Sequence, residues 1–197
     1  MELMPNKSLA SRFVRASGWI LGEHGVGQLL RFIGNLVLTR LLAPEMFGIM
    51  AIAHVVISGM TMFSDVGLDL SIIRSKRGNE VRFLNTVWTL QVIRGVLLFL
   101  VTITLAYLLQ ILNSTDFWRP ESVYRNLDLP LVITLLSLSP LIDGFKSTNV
   151  AVANRNLDMS SVAVIQIVSQ VAGTILMIVL ALANPSIYAL VFGGIFS

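Results

Sequence analysis

The chain has 197 residues, of which 55% are apolar and only 13% charged, with a formal net charge of +3. Soluble domains carry about 25% charged residues, so these charges are too few to cover a water-soluble fold, and lipid is the expected solvent for most of the surface. The mean hydropathy of +0.79 agrees, and the absence of cysteine excludes disulfides, thiolate nucleophiles and Cys-ligated metals.

A spanning helix needs about 20 mostly apolar residues. The first such stretch is 17–41. Lys7, Arg12 and Arg15 precede it as in a signal peptide, but it is too long for a cleaved apolar region and carries Glu23, His24 and Arg31. It reads as a retained helix. His24, Gln28, Arg31 and Asn35 recur by four, three and four, which puts them on one helix face. Gly18, Gly22, Gly25 and Gly27 crowd the same helix, with Gly18 and Gly22 in the spacing of a close-packing motif.

Ala43-Pro44-Glu45 ends the first stretch, and the second runs over 47–73. Its polar face is His54, Ser58, Thr61, Asp65 and Asp69. The polar run from Ser75 to Glu80 leads into a third stretch, 84–110, which holds Gln91 and Arg94 three residues apart. A polar segment with Pro120 follows, then a fourth stretch at 127–145. The fifth, 160–183, carries Gln166, Gln170 and Thr174, and Asn184-Pro185-Ser186 stops it. The sixth covers only 187–197, so the chain is expected to be the front part of a longer protein. The whole reads as one all-α membrane bundle over residues 1–197.

With the N-terminus in the cytoplasm, the inside segments carry nine Lys and Arg, from Lys7 to Arg155, and the outside loops three, namely Arg40, Arg119 and Arg125. That bias places the N-terminus inside. It also accounts for the pI of about 9.7 without a nucleic-acid partner.

The polar residues inside the helices have two readings. They line a wet cavity, with Arg31 and Arg94 as anion contacts whose planar forks suit phosphate. Otherwise they are glue between helices, Arg31 pairing with Glu23 or Asp65. His24 and His54 are either protonation switches or hydrogen-bonded structural residues. Glu23 and His24 are adjacent, so they do not share a face. Asn113-Ser114-Thr115 fits a glycosylation pattern in a loop expected outside, a pattern that recurs often by chance. No hydrolase, zinc-protease or phosphate-cradling loop motif occurs, and no metal or cofactor is implied. The longest loop offers only Asp116 and Glu121 to a transferase.

Three segments resemble one family. Arg40-Leu41-Leu42-Ala43-Pro44-Glu45-Met46-Phe47-Gly48 is similar to the first external loop of bacterial polysaccharide flippases. Phe63-Ser64-Asp65-Val66-Gly67-Leu68 follows at the usual distance, and Thr86-Val87-Trp88-Thr89-Leu90-Gln91-Val92-Ile93-Arg94-Gly95 resembles their third helix. Order and spacing together point to the O-antigen (Wzx-like) branch of the superfamily that includes MATE exporters. The resemblance implies a six-helix bundle corresponding to the N-terminal lobe of such a transporter, its sixth helix incomplete, facing a second lobe across a central cavity. It implies a non-enzymatic multi-pass protein of the bacterial inner membrane. Its cargo would be a polyprenyl-diphosphate-linked oligosaccharide, moved by alternating access, with membrane lipids and polysaccharide polymerase machinery as neighbours. Arg31 and Arg94 would meet the diphosphate. Gln28, Asn35, Gln91, Gln166 and Gln170 would line the cavity, and His24, Glu23 and Asp65 would serve ion coupling. Half a cavity is expected to transport nothing alone. The rivals are a cation-coupled drug exporter, a membrane-embedded transferase and a non-transporting assembly subunit.

Overall fold

The computed structural model describes residues 9–115, 124 and 126–196. Lys7, Arg119 and Arg125, three of the charges that set the expected orientation, lie outside these, as do Pro120, Asp116 and Glu121. The described residues form nine helices and no strand: α1 (Leu9–Leu41), α2 (Pro44–Phe63), α3 (Leu68–Arg74), α4 (Val81–Ser114), α5 (Asp128–Leu136), α6 (Leu138–Gly144), α7 (Asn149–Arg155), α8 (Ser160–Ala183) and α9 (Ile187–Phe196).

Local chemistry explains the boundaries. Pro44 starts α2 at a position where a missing N–H costs nothing, after an extended Ala43. The second stretch is not one helix over 47–73. The Asp65 carboxylate accepts a hydrogen bond from the Gly67 amide at 3.0 Å, and Gly67 adopts a left-handed φ of 65°. Glycine enters that region without steric cost, so the chain turns there and restarts as α3. The fourth stretch is also divided. α5 and α6 meet at Ser137, and the axis then bends by 59° into α7.

Among the described residues three helices are long and apolar enough to cross a membrane: α2, α4 and α8. The α5–α7 series makes a fourth if its bent parts form one span. The expected count was six. α1 has the length, at 33 residues, but Glu23, His24, Gln28, Arg31 and Asn35 dilute its apolarity. α9 has ten residues.

The main core joins Leu38 and Leu42 of the α1 end, Ile49, Met50, Ala53 and Ile57 of α2, and Leu129, Val132, Ile133 and Leu136 of α5 with residues of α8 and α9. A second, small cluster lies apart: Ile72 of α3, Val87 of α4 and Ala151 of α7, flanked by Leu68, Phe83 and Leu84. α1 packs on α8, α8 on α9, and α4 on α5 and α6, while α3 packs on α7.

The buried positions of α1 are Ala16, Glu23, Gly27, Gly34 and Leu38, spaced by seven, four, seven and four. Gly27 lies against the Gln170 side chain and Gly34 faces Thr174 and Met177 of α8. This corrects the glycine reading. Gly18, Gly22 and Gly25 have open space where a Cβ would stand, because the seam with α8 passes along the other face. The Asn113 motif is corrected as well. It belongs to the last turn of α4 rather than a loop, and the side-chain N and O of Asn113 are buried.

Candidate functional site

The residues singled out in the sequence fall into two groups on separate helix pairs. The first lies along α1 and α8. His24, Gln28, Arg31 and Asn35 are all exposed on α1. Each follows a seam position or lies near one, so the stripe borders the α8 contact at about 100° of rotation per residue. Gln170 enters the seam against Gly27, and Gln166 precedes it by one turn on α8. Glu23 is in the seam itself, 7% exposed. Its carboxylate is 3.9 Å from Nδ1 of His24, and that ring nitrogen lies 3.1 Å from the Ile20 carbonyl. The two side chains leave the helix on different faces, and only their ends approach. Among the described residues Arg31 has no hydrogen-bond or ion-pair partner, Glu23 and Asp65 included.

The second group is a knot around α4, and it contains Gln91, Arg94 and Asp65. Arg94 donates from Nε to Ser64 Oγ at 2.9 Å and from Nη2 to the Thr61 carbonyl at 3.0 Å. Its Nη1 is 3.8 Å from Asp65 Oδ1. The last carbonyls of a helix lack intrahelical partners and carry the negative end of its dipole. Arg94 therefore caps the C-terminus of α2 from a neighbouring helix. One turn away, Gln91 donates from Nε2 to the Asp143 carbonyl in the last turn of α6, at 2.9 Å. Gly95 completes the motif. A Cβ there would lie 2.8 Å from the Pro140 carbonyl and 3.0 Å from Cα of Gly144, so α4 and α6 cross backbone to backbone. Trp88 meets Phe145 edge to face, with centroids 6.4 Å apart.

A cavity of about 390 Å³ opens beside this knot. Asp65, Asp69 and Asp143 line it with Arg94 and Lys146. Three carboxylates against two cations do not make an anion pocket, and most of the Arg94 fork is already engaged. Arg31 is the predicted cation that retains its donors.

Arg155 was read in the sequence only as an orientation charge. Its Nη1 donates to the carbonyls of Ile72 at 2.9 Å and Ile73 at 3.1 Å, and to that of Ser75. It caps α3 as Arg94 caps α2. Gly78 makes room: a Cβ there would collide with the Ile72 carbonyl and the Arg155 guanidinium. Among the described residues no cluster of three or more His, Asp or Glu has the geometry to hold a metal.

The chain matches the family described as "Polysaccharide biosynthesis protein" over residues 37–197. It is similar to an "Uncharacterized membrane protein in cps region" of Klebsiella pneumoniae, with 26% identity over 187 residues, 94% of this chain and 36% of that protein. The chain thus spans about a third of the length of the curated relative it matches. No solved structure gives a significant match.

Proposed function

The chain belongs to the polysaccharide biosynthesis protein family, and we propose that it forms part of a membrane transporter for a polyprenyl-diphosphate-linked oligosaccharide destined for surface polysaccharide. In this reading it supplies the N-terminal lobe of a MATE-like fold in the cytoplasmic membrane, with its N-terminus inside. A second lobe completes the cavity, polymerase machinery receives the cargo, and transport proceeds by alternating access without covalent chemistry.

The observation that carries the reading is the stripe of His24, Gln28, Arg31 and Asn35. It is exposed in a chain whose other long helices are apolar. Polar and cationic groups at membrane depth are costly unless they meet water or a polar ligand. A diphosphate with attached sugars offers acceptors to Arg31 and both donors and acceptors to the amides. The membrane setting and the cps-region relative agree with such a cargo.

The test uses the full-length protein in its own cells. Arg31→Ala, Arg31→Lys and Arg31→Glu are compared for surface polysaccharide and for accumulated lipid-linked precursor. Loss in Arg31→Ala and Arg31→Glu with partial retention in Arg31→Lys is expected, since Lys keeps the charge but not the bidentate fork. Normal export by Arg31→Ala at normal protein level sinks the proposal.

A further inference from the structure

The chemistry of the α1 stripe depends on which nitrogen of His24 keeps a proton. Nδ1 lies 3.1 Å from the Ile20 carbonyl and 3.9 Å from the Glu23 carboxylate. A carbonyl oxygen only accepts, so Nδ1 carries hydrogen whenever that bond is made. The atom left to gain or lose a proton is Nε2. It has no partner among the described residues, and the His24 side chain is 75% exposed. Neutral His24 therefore offers a lone pair at Nε2, and charged His24 offers a donor there.

The charges around His24 are few. Glu23, buried in the seam, places a counter-charge at Nδ1. α8, the helix that α1 packs against, has no Asp, Glu, Lys, Arg or His in Ser160–Ala183. The other charge on this face of α1 is Arg31. Gln28 and Arg31 follow His24 by one turn and two, within an arc of about 60°. His24 and Arg31 are thus about 10 Å apart along the axis. Long side chains of a helix lean toward its N-terminus, which carries the Arg31 fork back over Gln28 and narrows that gap. The space between the two donors suits two linked phosphates, one at each end, with the Gln28 amide between them.

We propose that His24 is a second, protonation-dependent grip on the diphosphate of the lipid-linked cargo: Nε2–H donates to one phosphate while the Arg31 guanidinium holds the other. This rests on the transporter reading above and adds that the cargo is held more firmly at lower pH. The sign follows from Nε2. Below the imidazole range it donates to the phosphate, and above that range its lone pair faces an anion. Imidazole titrates between about pH 5 and 8, so a modest change in pH alters this grip and leaves Arg31 charged.

The probe is a farnesyl-diphosphate-linked glucose, a diester whose phosphates stay ionised throughout this range. Its binding to the full-length protein in lipid nanodiscs is measured at about pH 5.5 and 8. The parent should bind roughly tenfold tighter at the lower pH, the lower end for a hydrogen bond to a charged group. His24→Gln should show the weaker affinity at both values, and His24→Arg, with a fixed charge, the tighter one at both. His54→Gln is the control: His54 lies on α2 near Gly194 of α9, so this variant should keep the parent's response to pH. A parent that binds equally at both values overturns the proposal, as does a His24→Gln variant that keeps the pH response. If Arg31→Ala still loses the probe in either case, the transporter reading stands without the histidine grip. If Arg31→Ala binds as the parent does, both fall.

Discussion

The stripe on α1 and the knot on α4 use the same residue types at the same helical spacing, yet they end in opposite situations. Gln91 and Arg94 are consumed by helix ends: each donates to a terminal carbonyl of a neighbouring helix. Gln28 and Arg31 sit in the middle of a continuous helix and face outward. The difference comes from what lies opposite. A broken helix offers unsatisfied carbonyls, and a long donor finds them. An unbroken helix such as α8 satisfies its own backbone, so it leaves a neighbouring arginine nothing to cap. Depth in the helix and residue type identify a costly group, and the neighbour decides whether its donors are satisfied within the fold or left open.

The largest expected effect concerns the crossing of α4 and α6. Gly95→Leu meets the α6 backbone at Pro140 and Gly144 and should cost about 3 kcal/mol, the upper end for overpacking. Gly18→Ala meets open space and should change stability by less than about 1 kcal/mol, in the stabilising direction. Thermal unfolding of the purified full-length protein in detergent checks both, and equal costs would break the contrast between the two helices.

Next come the two arginines. Arg94→Ala should lose about 1.5–3 kcal/mol, the range for hydrogen bonds to charged groups. Arg31→Ala should stay within about 0.5 kcal/mol of the parent, as exposed positions do. If Arg31→Ala melts earlier by as much as Arg94→Ala, Arg31 is structural and the division between stripe and knot fails.

A further, stabilising effect is expected at the end of α7. Leu157 has a φ of 56° after α7, where Asp158 N–H donates to the Ala153 carbonyl at 2.9 Å and Leu157 N–H to Asn154 at 3.2 Å. This is the paired hydrogen bonding of a left-handed helix stop, a position that favours glycine. Leu157→Gly should gain about 1 kcal/mol, seen as slower amide exchange across α7.

The uninterrupted helices were legible in the sequence. The stretches at 84–110 and 160–183 became Val81–Ser114 and Ser160–Ala183, because long apolar runs with clear stops admit little else. The division of 47–73 was less visible. Hydropathy continues across it, although Asp65 two residues before Gly67 is turn chemistry that could have marked it. The bend after Gly144 left no such sign, since hydropathy registers composition and not direction. Partners were least legible. Arg155 reaches Ile72 across 83 positions, and nothing local distinguishes it from any loop cation. The α4 motif stood out in the sequence, but its role in joining α2 to α6 needed the neighbours in place.

The seam between α1 and α8 also bears on how the protein is made. α1 is synthesised first among these helices, yet its packing partner follows roughly 120 residues later. At about 5–20 residues per second, that is a wait on the order of ten seconds. Until α8 emerges, Glu23 has no seam to enter and α1 is too polar to settle in lipid alone. Insertion of α1 is therefore expected to finish late, in the company of α8, and a ribosome stalled before residue 160 should leave it accessible from the side on which it was made.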